Sequence, residues 1–491
     1  MYSRRRCTHR YSDLSKGATM AALTSSGRHG RALAAHPQDR PTSGHRRPRA
    51  ALAAICLGFF MILLDGSALN IALPSIQADT GGTMAALQWL INIYTIPLAA
   101  LLLSAGLLAD RVGARRLFLC ALGGFTAASL ACAVSPGLAA LMIARCLQGL
   151  FAAGVLPTTL AIIARTYPDP AQRAKAITVW GATGGIALIA GPIGGGVLTE
   201  TLGWRSIFFI NVPIGVLALW LAWRHIDETA RRDGESFDWL GQFLAILGLG
   251  SLVAALIEGG ERGWSDPLTI TALVAAPTLL IGFIATELRA RAPVLPLGMF
   301  QNRAFSASIT NGFAFQFGAY GLQFMIAIYL QDQWGYDPLS AGLFFVPFAM
   351  LWTFATLVLN RRWSHRGARW LLISGSIIAA LGSLICLAVS DRGSWPILLL
   401  GTAIAGFGCG LFGPSCNGAA LSSADPDYAG LASGVLNTAR QIGMAVGIAV
   451  LGLCLVQTDA VLGARIGIAV TAVGFAAIAV LAYRYLPRQQ V

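Results

Sequence analysis

Charge is what this sequence has least of. Only 12% of its 491 residues are Asp, Glu, Lys or Arg, against about 25% in ordinary soluble domains. Lysine occurs twice, at Lys16 and Lys175, so almost every basic side chain is arginine. With 56% hydrophobic residues, the chain lacks the polar surface needed to cover a water-soluble core, and the apolar excess has to face lipid.

Ligating and catalytic patterns are scarce as well. The nine cysteines (Cys7, Cys56, Cys120, Cys132, Cys146, Cys386, Cys409, Cys416 and Cys454) form no CxxC pair and no cluster with histidine at metal-ligand spacing. No disulfide or metal framework is implied, and the thiols read as small core residues. No GxxxxGK(S/T) loop occurs, so ATP drive is not expected. GxSxG, HExxH and EF-hand patterns are missing too. The expectation is a chain that is not an enzyme and holds no cofactor and no metal.

What is present is length of apolar run. From Ala50 onward, stretches of about 20 apolar residues recur between short polar breaks, each long enough to cross a bilayer as a helix. About fourteen such spans fit, the first at 50–76 and the last at 463–486. Before them, residues 1–49 are arginine-rich and without apolar periodicity, and read as a disordered basic cytoplasmic tail. They lack the apolar core and small-residue cleavage site of a signal peptide.

The formal net charge of +13 reads as topology, not as nucleic-acid binding. One set of alternate loops holds Arg111, Arg115, Arg116, Arg165, Arg173, Lys175, Arg224, Arg231, Arg232, Arg289, Arg291, Arg303, Arg361, Arg362, Arg366 and Arg369. The other holds mostly acids, among them Asp79, Glu258, Glu261, Asp266, Asp332, Asp337 and Asp459. The basic set is expected in the cytoplasm, and an even number of spans puts both termini there, in a multi-pass protein of the cytoplasmic membrane. Glu258 and Glu261 read as solvated at the opposite face.

The chain also repeats weakly. Gly113-Ala114-Arg115 after the second span recurs as Gly367-Ala368-Arg369 after the tenth, and the Gly/Pro density of the fifth span returns in the twelfth at Gly406, Gly408, Gly410, Gly413 and Pro414. The expected architecture is all-α. It comprises a six-helix bundle over 50–223, two added helices with their loops over 224–303, and a second six-helix bundle over 304–491, around a midplane cavity.

Two polar features interrupt the apolar spans. Leu64-Asp65-Gly66-Ser67-Ala68-Leu69-Asn70 places a carboxyl deep in the first span, where an ionised Asp costs about 2.5–3.5 kcal/mol on insertion scales. Such a group pairs, lines water, or exchanges a proton as its surroundings change. After the second span, Asp110, Arg111, Gly113, Arg115 and Arg116 crowd a short turn that can act as a salt-bridge latch between conformations.

That loop, Gly106-Leu107-Leu108-Ala109-Asp110-Arg111-Val112-Gly113-Ala114-Arg115-Arg116, resembles the hallmark of the major facilitator superfamily. Arg145-Cys146-Leu147-Gln148-Gly149 is similar to its RxxQG signature, and Gly191-Pro192-Ile193-Gly194-Gly195-Gly196 to its GPxxGG antiporter motif. Trp204 to Gly215 resembles the WRxIFxINxPiG box of the fourteen-helix drug:proton antiporters of EmrB/QacA type. Asp238-Trp239-Leu240-Gly241, Tyr329-Leu330-Gln331 and Ser433 to Gln441 fit the same family, so the likeness covers about 50–486. The second copy of the loop departs from the first: Ser364 and His365 stand where Asp110 and Arg111 align, and this copy is expected to lack the latch.

The resemblance implies proton coupling through Asp65 and Arg145, with the proton motive force as drive. It also implies gating through the loop residues and through Gly191, Pro192, Gly194 and Gly195, which let the fifth helix bend and pack closely. Asp65, or a backbone carbonyl near it, is the expected partner of Arg145. Candidate substrate contacts are Asn70, Trp89, Asn92, Tyr94, Gln148, Asn311, Phe313, Gln316, Tyr320 and Gln323, because aromatic and amide groups suit amphipathic ligands. The implied function is export of drugs, antibiotics or related toxins by a monomer whose partners are a small-molecule substrate and the bilayer, with no outer-membrane adaptor specified. A proton-coupled symporter or facilitator importing a small polar solute is the other reading on the same fold.

Overall fold

The computed structural model describes residues 48–228, 238–290, 295, 297–388, 394–424, 429–457 and 459–487. Of the basic tail expected over 1–49, residues 1–47 lie outside the described residues. Among the described residues, fourteen helices are long and apolar enough to cross a membrane. They are α1 Pro48–Thr80, α2 Met84–Val112, α3 Ala114–Ala133, α4 Leu138–Thr166, α5 Pro170–Leu202 and α6 Ser206–His225. Then come α7 Trp239–Glu261, α8 Pro267–Arg289, α9 Arg303–Asp332, α10 Pro338–Trp363, α11 Ala368–Cys386, α12 Trp395–Ser422, α13 Ala429–Gln457 and α14 Ala460–Tyr485.

Short polar signals start and stop these helices. Asp169, Asp266 and Asp337 each precede a proline, and each carboxylate accepts a backbone N–H of the first turn, from Gln172, Leu268 and Ser340. The side chain satisfies an orphan donor while proline occupies a position that has no N–H to lose. Gly113 and Gly367 take φ of 99° and 83°, the left-handed region that favours glycine, and each ends one helix and begins the next.

The repeat is therefore structural. Arg115 donates to the carbonyl of Trp223 at the end of α6 (2.8 Å), and Arg369 donates to the carbonyl of Tyr483 at the end of α14 (2.6 Å). Each half thus uses the same Gly-Ala-Arg turn to cap its last helix with a cation, where the macrodipole favours one.

Large apolar side chains line the outside, as a lipid solvent allows: Trp220, Trp223, Trp239, Phe243, Ile281 and Val473 are all more than half exposed. Inside, packing differs between the two ends. Toward the end with the acidic loops, Ala68, Leu73 and Ile76 of α1 share one core with Phe324 and Ile328 of α9 and with Met444 and Ile448 of α13. Gln331 of α9 also donates to the Ile71 carbonyl of α1 (3.1 Å). Toward the arginine-bearing end, the first six helices keep a core of their own, and so do residues from 305 to 486. The two bundles are joined at one end and packed separately at the other.

Two helices are interrupted. In α6, a four-residue turn, Ser206–Phe209, gives way at Ile210 to Asn211–His225. In α10 the path changes at Phe345 and widens to a π-turn over Ala355–Leu359, where Thr356 and Asn360 donate to the carbonyls of Gly410 and Leu411 (3.1 and 2.8 Å).

Candidate functional site

Midway along α1, Asp65 is 2% exposed. Arg145, on α4, points a guanidinium at it, and the Nη1–Oδ2 distance is 2.6 Å. One turn on, at the i+3 position of the same helix face, Gln148 closes a triangle. Its Nε2 donates to Asp65 Oδ1 (3.0 Å), and its Oε1 accepts from Arg145 Nη1 (2.6 Å). Two residues that the sequence reading gave no role complete the network. Asn211, at the start of the second piece of α6, donates to Asp65 Oδ1 (2.9 Å), and Gln148 Nε2 also donates to Ser129 Oγ on α3 (2.8 Å).

Arg145 is compensated from other sides too. Its Nε donates to the Leu90 carbonyl of α2 (3.4 Å), and its guanidinium lies 4.3 Å from the ring centre of Tyr94 and 5.8 Å from that of Phe208. The pair is thus held by five helices, α1, α2, α3, α4 and α6. Removing one partner of such a buried pair strands the other charge, at a cost of about 3–5 kcal/mol.

The Trp204 to Gly215 box works as a double clasp on α1. Trp204 Nε1 and Arg205 Nη1 both bind Asp79 Oδ2 at the acidic end of that helix (3.0 and 2.9 Å), while Asn211 reaches Asp65 near its middle. The break in α6 lets one short segment make both contacts.

The glycine motif of α5 has two faces. A Cβ on Gly191 would collide with Ser67, and one on Gly195 would lie 2.9 Å from Ala68 Cα, so this face fits α1. Gly196 fits α10 in the other half, where a Cβ would meet the Pro338 carbonyl at 2.8 Å, and Gly342 of α10 sits against the Pro192 carbonyl. Gly194 is different: a Cβ there meets nothing within 4 Å. The close packing expected of it does not occur, because its side of α5 faces neither partner. The helix runs unbroken through Pro192.

In the loop after α2, Arg115 and Arg116 pair with Glu228 (both 3.2 Å), a residue the sequence reading had left out. Arg111 is half-buried, and the side chain of Asp110 lies outside those described. In the second copy, His365 Nδ1 lies 3.0 Å from the Arg362 carbonyl, and the Arg366 guanidinium sits 4.6 Å from the ring centre of Trp370.

The proposed substrate contacts separate into groups. Tyr94 and Gln148 belong to the Asp65 network. Asn70 and Asn92 are buried nearby in sequence on α1 and α2; the Asn70 Oδ1 and both amide atoms of Asn92 have no hydrogen-bond partner in the structure. Trp89 is placed elsewhere: its indole donates to Glu258 Oε1 on α7 (3.0 Å), because the added helix pair covers that face of α2. Glu258, expected to be solvated, is instead enclosed between Trp89 and Arg262, whose Nε lies 2.6 Å from Oε2. On α9, Phe313 stacks on Phe317, Gln316 bonds the Tyr320 hydroxyl, Gln323 is buried, and Asn311 is fully buried with neither amide atom partnered.

A lipid-facing shell of fourteen helices, a doubled Gly-Ala-Arg turn and a buried Asp–Arg pair are now in place. The family model of the Major Facilitator Superfamily matches residues 55–448 and, in a second match, 312–491. The chain belongs to the major facilitator superfamily. Within it, the chain is 35% identical over 408 residues to the multidrug resistance protein Stp of Mycobacterium tuberculosis, covering 83% of this chain and 76% of that one. It is 33% identical over 408 residues to the methylenomycin A resistance protein of Streptomyces coelicolor, covering 83% and 86%. A crystal structure of the peptide transporter POT superposes with a TM-score of 0.67 at 15% identity, over 90% of this chain and 95% of that one, which speaks to the major facilitator fold alone.

Proposed function

We propose that this major facilitator protein exports drug-like amphipathic molecules across the cytoplasmic membrane in exchange for protons. The arginine-bearing loops then lie in the cytoplasm, with both termini. The observation that carries the reading is the Asp65–Arg145 pair, a carboxylate and a guanidinium 2.6 Å apart in the middle of a membrane-spanning bundle. Two charges at that depth are costly to keep unless they serve transport. Resistance and export proteins among the relatives support the direction of transport.

Protonation of Asp65 cancels the attraction that holds Oδ2 on Arg145 Nη1. Gln148 Oε1 and the Leu90 carbonyl keep the guanidinium solvated by protein dipoles while α1 is released from α4. On this reading the two bundles, joined at the acidic end and packed separately at the other, hold a state open toward the cytoplasm, where substrate enters. Each proton returning inward contributes about 2.3 kcal/mol per 100 mV of membrane potential.

Everted vesicles with an imposed proton gradient test this directly. Adding rhodamine B should discharge the gradient with the native chain, and Asp65→Asn should abolish the discharge at equal membrane content. Undiminished discharge by Asp65→Asn would remove Asp65 from the mechanism.

A further inference from the structure

Among the described residues, only three charged side chains lie more than a turn and a half inside a membrane helix from both of its ends: Asp65, Arg145 and Arg440. The first two neutralise each other. Arg440, on α13, has no carboxylate of the described residues within ion-pair distance. Its Nη2 donates to the Gly413 carbonyl of α12 (3.0 Å) and Cys416 bonds it as well, but its buried Nε has no acceptor. A guanidinium carries five donors in a planar fork. Here most of that capacity is uncommitted at a depth where an unpaired cation is least tolerated.

The surroundings suit a ligand. The Phe315 ring centre lies 6.0 Å from the guanidinium and stacks on Phe412 at 4.5 Å. Beside the acceptor, Gly413 opens onto free space, since a Cβ there would meet nothing within 4 Å. Fork geometry matches a planar oxyanion, through two parallel charge-assisted bonds, and aromatic rings take up an apolar body.

We infer that Arg440 is the recognition group for an anionic substrate, a compound with a carboxylate or similar planar oxyanion on an aromatic or apolar frame. This deepens the export reading and rests on it: Asp65 and Arg145 in the first half serve the proton, and Arg440 in the second half selects the cargo by charge.

The test compares two probes with one body, rhodamine B, which carries a carboxylate, and its ethyl ester, which does not. Binding to the purified full chain is followed by the polarisation of rhodamine emission. The native chain should prefer the acid by about tenfold, the discrimination of a charge-assisted pair. Arg440→Gln should erase that preference by weakening the acid far more than the ester, and Arg440→Lys should keep part of it. No preference in the native chain, no binding of the acid, or equal weakening of both probes by Arg440→Gln would each overturn the inference. The ester serves as the folding control. Proton coupling is read separately through Asp65→Asn, so a coupled Asp65→Asn variant sinks the antiport reading while leaving the charge preference of Arg440 standing.

Discussion

Asn211 donates its amide hydrogen to Oδ1 of Asp65 at 2.9 Å across 146 residues of sequence. It fixes the oxygen that Arg145 does not hold, so the carboxylate cannot rotate without giving up one bond or the other. Replacing Asn211 with Leu should therefore lower rhodamine B transport about tenfold, the value of one charge-assisted hydrogen bond. In a double-mutant cycle with Asp65→Asn, read on the thermal stability of the purified protein, the two losses should be far from additive, because the two side chains act as one unit. Additive losses of stability would show that Asn211 acts elsewhere.

Arg145→Gln should be a folding defect before it is a transport defect. It leaves the Asp65 carboxylate 2% exposed and without its counter-charge, at about 3–5 kcal/mol. Combining it with Asp65→Asn should restore most of the thermal stability of the purified protein and none of the transport. Equal melting temperatures for the single and double variants would contradict the pairing.

Asp337 gives an acid-dependent term at the other end of the molecule. The backbone N–H and hydroxyl of Ser340 both bind its carboxylate (2.7 Å each) and hold it below its ordinary 3.8. A lowered folded value means the stabilisation is complete above the unfolded value and disappears as pH falls through the folded one, thus below about pH 4. Asp337→Ala should cost about 1 kcal/mol at neutral pH, as for a lost helix cap. Melting curves of the two proteins should converge on acidification; a constant gap down to pH 3 would refute the assignment.

The seam between α5 and α10 should control which end opens. Gly196 and Gly342 let the two halves meet backbone to backbone, and a side chain at either position would collide with the Pro338 or Pro192 carbonyl. Gly342→Leu should therefore part the acidic end. A single cysteine placed at Ala68 (3% exposed) should become about tenfold more reactive to a membrane-impermeant maleimide in that background, by the population shift a clash of 1–2 kcal/mol produces. Unchanged labelling would place the seam elsewhere.

The sequence reading reached Asp65, Arg145 and Gln148 because a charge in an apolar run stands out and because i, i+3 spacing is local. It missed Ser129, Asn211 and Glu228 in the network and the loop for the opposite reason. A serine or asparagine is ordinary in a membrane helix, and only the packing of α3 and α6 against α4 and α1 gives them partners. Trp89 shows the converse error: its type suits a ligand cavity, but the added helix α7 puts Glu258 against it.

By itself the sequence determined that the chain is a helical bundle in lipid, how many times it crosses, where its helices begin, and that its two halves are alike. These follow from hydropathy, capping and backbone conformation, which act over a few residues. The tertiary structure alone decided which oxygen of Asp65 each neighbour holds, which end of the bundle is joined, and that Arg440 faces no carboxylate among the described residues. Those are relations between helices far apart in the chain, and contacts over that distance are set by how whole helix faces pack, which no local pattern encodes.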